Sequence, residues 1–271
     1  MCKLVAFFVL ISLMLITKDA FAQEPAEASS PSGAVDAKEL EKALANPISN
    51  VTTFPVQYNW NFFSERDGIS QTVLNLQPVF SSALGSGTVI NRFILPIVDN
   101  PTASGEASVS GFADAIYQGF YAPGGQGAFT WGVGPTIQAP TGSALYSTRK
   151  WSGGPAIVAL HTSERLTIGA LITQLWSFAG SDSRDDVSLL TIQPFTSYRI
   201  GNGWSLNPFN NITYDSTLEG EQWTVPIGLS VIKLIPRKAV PVNLTFGVFG
   251  NILHPDEGPD WSMKAQINFV L

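Results

Sequence analysis

The sequence has 271 residues, 13% of them charged, and a formal net charge of −6. Ordinary soluble domains carry about 25% charged residues, so a soluble domain of this size would have too few charges to cover its surface. The single cysteine, Cys2, excludes a disulfide framework.

Residues 1–22 have the order of features of an export signal. Lys3 supplies the positive start, residues 5–16 are apolar, and residues 20–22 (AFA) fit a small-x-small cleavage site. The apolar run is too short to span a bilayer as a helix. A lipoprotein signal would need a cysteine after this run, whereas Cys2 lies before it. We therefore expect cleavage after residue 22 and a mature chain without a thiol.

A periplasmic leader is predicted for residues 23–54. Residues 23–35 are rich in Ala, Pro, Ser and Glu, which is typical of disorder. Residues 36–45 predict a helix with Leu40 and Leu44 on one face. The favoured interpretation is a marginal, solvated helix, because ten residues are too few for a stable isolated helix. The alternative is a plug or lid on the periplasmic mouth of the domain that follows.

From residue 55 to residue 271 the apolar residues recur with period two. Val56 and Tyr58 alternate with Gln57, as expected for a wall between lipid and water. The pattern predicts an all-β fold, an antiparallel up-and-down transmembrane β-barrel of about 12 strands with a short N-terminal helix. The predicted strands are 56–62, 71–80, 89–97, 111–121, 128–138, 151–160, 166–177, 187–199, 204–214, 223–234, 240–250 and 261–271.

The predicted connections alternate in length and charge. Those after even-numbered strands are mostly short, and those after odd-numbered strands are longer and acidic, as expected for periplasmic turns and outer loops. Tryptophans near strand ends predict two aromatic girdles. The acidic loops would attract cations or bind divalent cations that bridge to lipopolysaccharide; plain solvation of surface loops is the favoured interpretation.

Ionisable residues are rare within the predicted strands, and Arg92 and Asp114 are exceptions. Both have the parity of lumen-facing residues, and counting across the loop at 98–110 places them almost opposite each other. We expect a structural ion pair or, as the alternative, a constriction or selectivity filter. The other candidate lining residues are Gln118, Gln138, Gln193 and Lys264.

Catalytic and metal-binding patterns are weak. His161 and His254 are predicted on opposite sides of the membrane, so they cannot share a metal or a triad. Residues 182–186 lack the spacing and the terminal Glu of a calcium loop. We therefore expect no enzymatic activity, no cofactor and no metal.

Seven stretches of the chain resemble one family. They are residues 44–59, 76–79, 94–98, 150–158, 169–187, 193–198 and 221–226. The family comprises bacterial outer-membrane β-barrels often named transporters or, misleadingly, "neuromedin U", and it is related to the barrels linked to the MetA pathway of phenol degradation. The resemblance implies an outer-membrane location and transport of small solutes, including hydrophobic or aromatic compounds. It brings no site residues.

Two functions are therefore open. The first is a channel or transporter for small solutes, and the second is a structural or surface-interaction barrel whose lumen is filled by side chains. Expected partners are membrane lipids, lipopolysaccharide, the small-molecule solute and the barrel insertion machinery, which would recognise the C-terminal strand. No nucleic-acid partner is expected.

Overall fold

The computed structural model describes five parts of the chain, residues 37–63, 70–101, 108–125, 127–237 and 239–271. The predicted signal at 1–22 and the predicted disordered segment at 23–35 lie outside the described residues. Within these ranges one helix, α1 at Ala37–Leu44, precedes the strands and agrees with the helix predicted at 36–45. No helix of the described part combines the length and the apolar character that crossing a membrane would require.

Fifteen strands follow α1 in the described residues, and they form twelve spans because three spans are each interrupted once. The interrupted spans are Ser70–Leu76 with Val79–Leu84, Ser108–Phe112 with Ala115–Ala122, and Trp204–Phe209 with Ile212–Asp215. The strands are β1 Thr53–Phe62, β2 Ser70–Leu76, β3 Val79–Leu84, β4 Gly87–Pro101, β5 Ser108–Phe112, β6 Ala115–Ala122, β7 Phe129–Ala139, β8 Lys150–Thr162, β9 Leu166–Gly180, β10 Ser188–Gly201, β11 Trp204–Phe209, β12 Ile212–Asp215, β13 Trp223–Ile235, β14 Val242–Leu253 and β15 Trp261–Val270.

Each span pairs antiparallel with the next, and the first and last strands close the ring. β1 pairs with β15 over ten residues, from Thr53 opposite Val270 to Phe62 opposite Trp261. On its other side β1 pairs with β2 and, through Thr53, with β3. Closure leaves no free sheet edge, which is the way a sheet satisfies its backbone inside a bilayer. The predicted barrel of twelve antiparallel spans is confirmed.

The two faces of the wall differ sharply in polarity. On β7, Phe129, Trp131 and Val133 point outward and are exposed, whereas Gly132 and Thr136 point inward and are buried. A water-soluble protein rarely exposes a continuous apolar band of this kind, so the outer face is suited to lipid. Exposed aromatic residues mark both ends of the spans, with Trp151, Trp176 and Trp261 at one end and Tyr121, Tyr198 and Trp204 at the other.

The connections also follow the predicted alternation. The barrel end that carries residues 52 and 271 is called the inner end here, and the opposite end the outer end. Two residues, 85–86, join β3 to β4 at the inner end, and 202–203 join β10 to β11. At the outer end, ten residues, 140–149, join β7 to β8.

The three interruptions were not predicted. The span predicted at 71–80 breaks at Gln77 and Pro78, where the proline lacks the N–H that a continuous ladder would need. The spans predicted at 111–121 and 204–214 break at residues 113–114 and 210–211. The pairing of β4 shifts by one residue at the break at 113–114, from Ile97 opposite Phe112 to Ile94 opposite Ile116. The break at Gln77 and Pro78 leaves the register with β4 unchanged.

Candidate solute pathway in the barrel lumen

Arg92 enters the lumen because of the alternation along β4. Ile90, two residues before it, is 1% exposed and belongs to an apolar cluster inside the barrel. Leu95, on the other parity, is exposed on the outer face. The structure therefore places the Arg92 side chain on the lumenal face of β4.

The guanidinium of Arg92 forms a constriction across the lumen. Its Nη2 donates to Gln77 Oε1 at 2.7 Å, and its Nη1 donates to Gln193 Oε1 at 3.1 Å and to Gln118 Oε1 at 3.4 Å. Gln193 lies on β10, five spans away from β4, so that hydrogen bond crosses the interior. The structure thus joins Arg92 with two of the predicted lining residues, Gln118 and Gln193.

The predicted ion pair between Arg92 and Asp114 is wrong. Arg92 lies opposite Gln118 in the β4–β6 ladder, and Asp114 comes four residues earlier, in the break between β5 and β6. Four residues of strand correspond to about 13 Å. Counting across the loop at 98–110 placed the partner of Arg92 about four residues too early in the chain, and the break between β5 and β6 accounts for only one of these residues.

Asp114 instead holds the outer loop at 140–149. Its carboxylate accepts hydrogen bonds from Gly142 N at 2.9 Å, Thr148 N at 2.8 Å and Thr148 Oγ1 at 2.7 Å. Gln138 Nε2 lies 3.4 Å from Asp114 Oδ2. Asp114 is 5% exposed, and backbone donors compensate its burial. Asp114 and Gln138 therefore form a separate network, away from the constriction.

Lys264 lines the lumen on β15. Its Nζ donates to Asn210 Oδ1 at 3.3 Å, in the break between β11 and β12, and lies 5.3 Å from the centre of the Phe249 ring. Phe249 is fully buried. A cation over an aromatic face is favourable. Both partners of Lys264 are nonetheless uncharged.

Helix α1 packs against the lumenal face of the barrel, which contradicts the favoured interpretation of a solvated helix. Leu40 is 7% exposed and packs with Leu234 and Val270, both inward-facing residues of β13 and β15. Ser205 Oγ on β11 donates to Glu41 Oε1 at 2.6 Å. The alternative interpretation, a plug at the inner mouth, agrees with these contacts. An isolated helix of this length is marginal, but burial of its apolar face against the wall stabilises it.

The chain after α1 continues this occlusion up to β1. Ile48 is 6% exposed and packs into the apolar cluster of the lumen with Ile90, Phe120 and Val158. Asn46 Oδ1 accepts a hydrogen bond from Ile48 N at 3.0 Å and fixes the turn that directs this side chain. Residues 37–51 are called the plug segment from here on.

Two adjacent cavities lie between the plug segment and the barrel wall. The first has a volume of about 160 Å³ and reaches Arg92 and Gln77. The second has a volume of about 180 Å³ and reaches Lys264 and Ser205. Both are lined by the same six residues, Leu44, Gln57, Gln193, Phe195, Gln266 and Asn268.

The outer loops are tied to one another at the opposite end. Lys150 Nζ lies 3.0 Å from Asp186 Oδ1, and Arg184 Nη2 donates to Ala144 O at 2.7 Å. The hydrogen bonds that Lys150 and Ser177 donate hold the pKa of the Asp186 carboxyl below its usual value. These contacts connect the loop at 140–149 with the loop between β9 and β10.

The histidines lie far apart, as predicted. His161 is near the inner end of β8, and His254 follows β14 at the outer end, where its Nε2 is 3.9 Å from Asp260 Oδ1. Within the described ranges, no group of three or more His, Cys, Asp or Glu residues could hold a metal ion.

Sequence reasoning missed the parts of the site that depend on distant contacts. Gln77 has the parity of a lumen-facing residue, so the sequence alternation could have indicated it as a partner of Arg92. The docking of Leu40 and Ile48 had a weaker signal, namely apolar residues in a segment otherwise rich in polar ones. The hydrogen bond between Ser205 and Glu41 joins residues 164 positions apart, and no local sequence pattern predicts it.

Known structures share this architecture. The COG4313 outer membrane channel from Pseudomonas putida F1 is 16% identical over 82% of this chain and 96% of its own, with a TM-score of 0.57. The NanC porin is 10% identical over 81% of this chain and 98% of its own, with a TM-score of 0.51. At these identities the likeness concerns the fold alone.

Sequence comparison places the chain more specifically. No protein of curated function matches the sequence. The family model described as "Putative MetA-pathway of phenol degradation" matches residues 68–224, which is more than half of the chain and runs from the first outer loop to the start of β13. The chain belongs to this family, as the resemblance of its separate stretches had predicted.

Proposed function

We propose that the protein is an outer-membrane channel for small solutes, exported with the help of the signal predicted at 1–22. The observation that carries the proposal is the pair of cavities, lined by both polar and apolar side chains, inside a closed, lipid-facing barrel. A barrel that served only as a membrane scaffold would have no need of such space, and side chains would fill it.

The plug segment makes the resting channel narrow at the inner end. Leu40 and Ile48 each bury an apolar side chain against the wall, and Glu41 adds a hydrogen bond to Ser205. Passage of a solute then requires the plug segment to move away from the inner mouth. Its release need not disturb the wall, because no residue of the segment belongs to a strand.

The cavity lining indicates the size and character of the solute. Amide side chains such as Gln57 and Gln266 offer hydrogen bonds, while Phe195 and Leu44 offer an apolar surface. Cavities of this size accept small molecules rather than oligomers. Small aromatic compounds with a polar group fit this combination, in keeping with the family's link to phenol degradation.

The second candidate function is a structural or surface-interaction barrel with a permanently filled lumen. The close packing of Ile48 among Ile90, Phe120 and Val158 favours it, since the cluster resembles an ordinary protein core. The two candidates differ in one respect: only the channel requires the plug segment to leave the lumen.

The test fixes the plug segment to the wall and measures conductance. In a Cys2→Ser background, Glu41→Cys and Ser205→Cys replace side chains whose oxygens are 2.6 Å apart. A short, cleavable, bifunctional thiol reagent then links them, and the refolded protein is studied in a planar bilayer. A channel loses conductance on linking and recovers it on cleavage, whereas the Glu41→Cys variant alone is unaffected by the reagent.

A filled scaffold gives another result. If the folded double variant is silent before linking, after linking and after cleavage, the channel proposal is wrong and the structural function stands.

A further inference from the structure

We propose that the two lumenal cavities form a binding site for the oxyanion group of a small organic solute, held between Arg92 and Lys264. The inference rests on the proposed function, because it names the chemical class of the solute that the channel takes. Both of these lumenal cations have neutral groups as their partners in the described residues.

Arg92 keeps its positive charge under all ordinary conditions. Its three acceptors, Gln77, Gln118 and Gln193, are all amides. These bonds use three of the five N–H groups of a guanidinium, so two N–H groups remain for another acceptor. Charged groups away from bulk water are usually paired with an opposite charge, and the part of the wall that the structure describes supplies none to Arg92.

Lys264 is in the same situation on the neighbouring cavity. Its Nζ donates one long hydrogen bond, 3.3 Å, to Asn210 and lies over the Phe249 ring. The ion pairs found within the described ranges, Lys42 with Glu39, Lys150 with Asp186 and His254 with Asp260, involve neither Lys264 nor Arg92.

An acidic side chain does line the second cavity, and its position matters. Glu41 lies on α1, where its carboxylate accepts the 2.6 Å hydrogen bond from Ser205. It belongs to the plug segment, so it would leave the lumen with that segment. The wall of the described barrel then presents Arg92 and Lys264 without any compensating carboxylate.

The shared lining supports an organic anion rather than a bare ion. Gln57, Gln266 and Asn268 line both cavities, and their amides can donate N–H groups to an oxyanion. Phe195 lines both cavities as well and offers an aromatic face to the body of the solute. A carboxylate or phosphate attached to a small apolar body matches these features.

The acidic outer loops do not contradict this assignment. Surface charges are screened over about 8 Å at physiological ionic strength. The lumenal cations act inside the barrel, where the hydrogen bond from Arg92 to Gln193 crosses the interior and fewer water molecules and ions can screen them. The constriction therefore governs charge preference more than the mouth does, and the open channel favours anions over cations.

The test compares a carboxylate with its neutral isostere. Sodium benzoate and benzamide are titrated separately by calorimetry into the refolded full chain in a nonionic detergent, and inorganic phosphate serves as a third probe. The proposal predicts that benzoate binds at least about tenfold more tightly than benzamide, because charge-assisted hydrogen bonds exceed neutral ones by this margin. Phosphate binding would show that the oxyanion suffices without the apolar body.

Variants locate the site. Arg92→Gln and Lys264→Gln should each weaken benzoate binding about tenfold or more, and Arg92→Lys should retain part of it, since it keeps the charge. The matched control is Lys233→Gln, because Lys233 lies outside the lumen with its Nζ over Trp204. Folding is checked by heat-modifiable migration on gels, and the comparison of benzoate with benzamide needs no variant at all.

The outcomes separate this proposal from the channel proposal. Equal binding of benzoate and benzamide, or undiminished binding in a folded Arg92→Gln/Lys264→Gln variant, overturns the oxyanion site even if the protein conducts. Benzoate binding in a protein that never conducts supports the site and refutes the channel. A reversal potential that indicates anion preference, lost in the double variant, supports both.

Discussion

Replacing Ile48 by alanine should release the plug segment without unfolding the barrel. Ile48 is almost fully buried in the lumenal cluster, and it lies outside every strand. The substitution removes about three methylene equivalents at about 0.8 kcal/mol each, or about 2.4 kcal/mol. This free energy opposes only the docking of the segment, so the released fraction should rise about 60-fold.

The assay measures how fast a thiol on the plug segment becomes reactive. Ala43 lines the first cavity. In a Cys2→Ser background, Ala43→Cys is labelled with a water-soluble maleimide in detergent, with and without Ile48→Ala. When docking and release are faster than labelling, the rate is proportional to the released fraction. The control is Asn50→Ala, which removes an exposed side chain from the same segment.

A labelling rate that changes by less than about threefold in Ile48→Ala would show that burial of Ile48 does not hold the segment in place. Loss of heat-modifiable migration in the same variant would be equally damaging to the reasoning. It would mean that the segment and the wall unfold as one unit and that the segment cannot act as a movable plug.

Two further predictions concern the wall and the outer loops. Val248→Arg places a charge on the lipid face near the middle of β14 and should destabilise the bilayer-inserted barrel by about 2–4 kcal/mol, measured by urea titration. Leu218→Arg, in an outer loop, should destabilise it by less than about 1 kcal/mol. Equal destabilisation by the two variants would contradict the assignment of the lipid face. The lowered pKa of Asp186, paired with Lys150, means that its contribution to stability is complete above the ordinary Asp pKa and is lost as the pH falls through the lowered value. Wild type should therefore melt above Asp186→Asn at pH 7, and the difference in melting temperature should shrink as the pH falls below the ordinary Asp pKa. A difference in melting temperature that grows in acid would refute the contribution of the Asp186–Lys150 pair to stability.

The wall of the barrel could be predicted because its signal is local. Alternation along a strand decides which side chains face lipid, and Trp131 or Gln266 can be assigned from two neighbours on either side. The lengths of the connections then indicated the two ends of the barrel, and the loop charges agreed with that assignment. The predicted boundaries differ from the observed ones by a few residues, as at Thr53, where β1 begins three residues early.

The interior could be predicted only in part, because its contacts join distant parts of the chain. Arg92 and Gln193 were both assigned to the lumen, but their hydrogen bond across it depends on the diameter and register of the whole barrel. The expected partnership with Asp114 failed because the count across the loop at 98–110 put the register about four residues out, and only one of these residues arises at the break between β5 and β6. The docking of α1 was not predicted for a related reason. Helix propensity gives no information about the barrel wall on which the helix packs, because that wall is formed by distant residues.

The partners of α1 also determine when the lumen can be occluded during folding. Leu40 docks on Leu234 and Val270, which lie in β13 and in β15, the strand that closes the ring with β1. The docking surface therefore exists only after the last strand is in place, although α1 precedes every strand in the chain. Contacts of such long sequence separation form late. A newly assembled barrel thus passes through a stage in which its wall is complete and its interior is still open, and occlusion is the final step of its maturation.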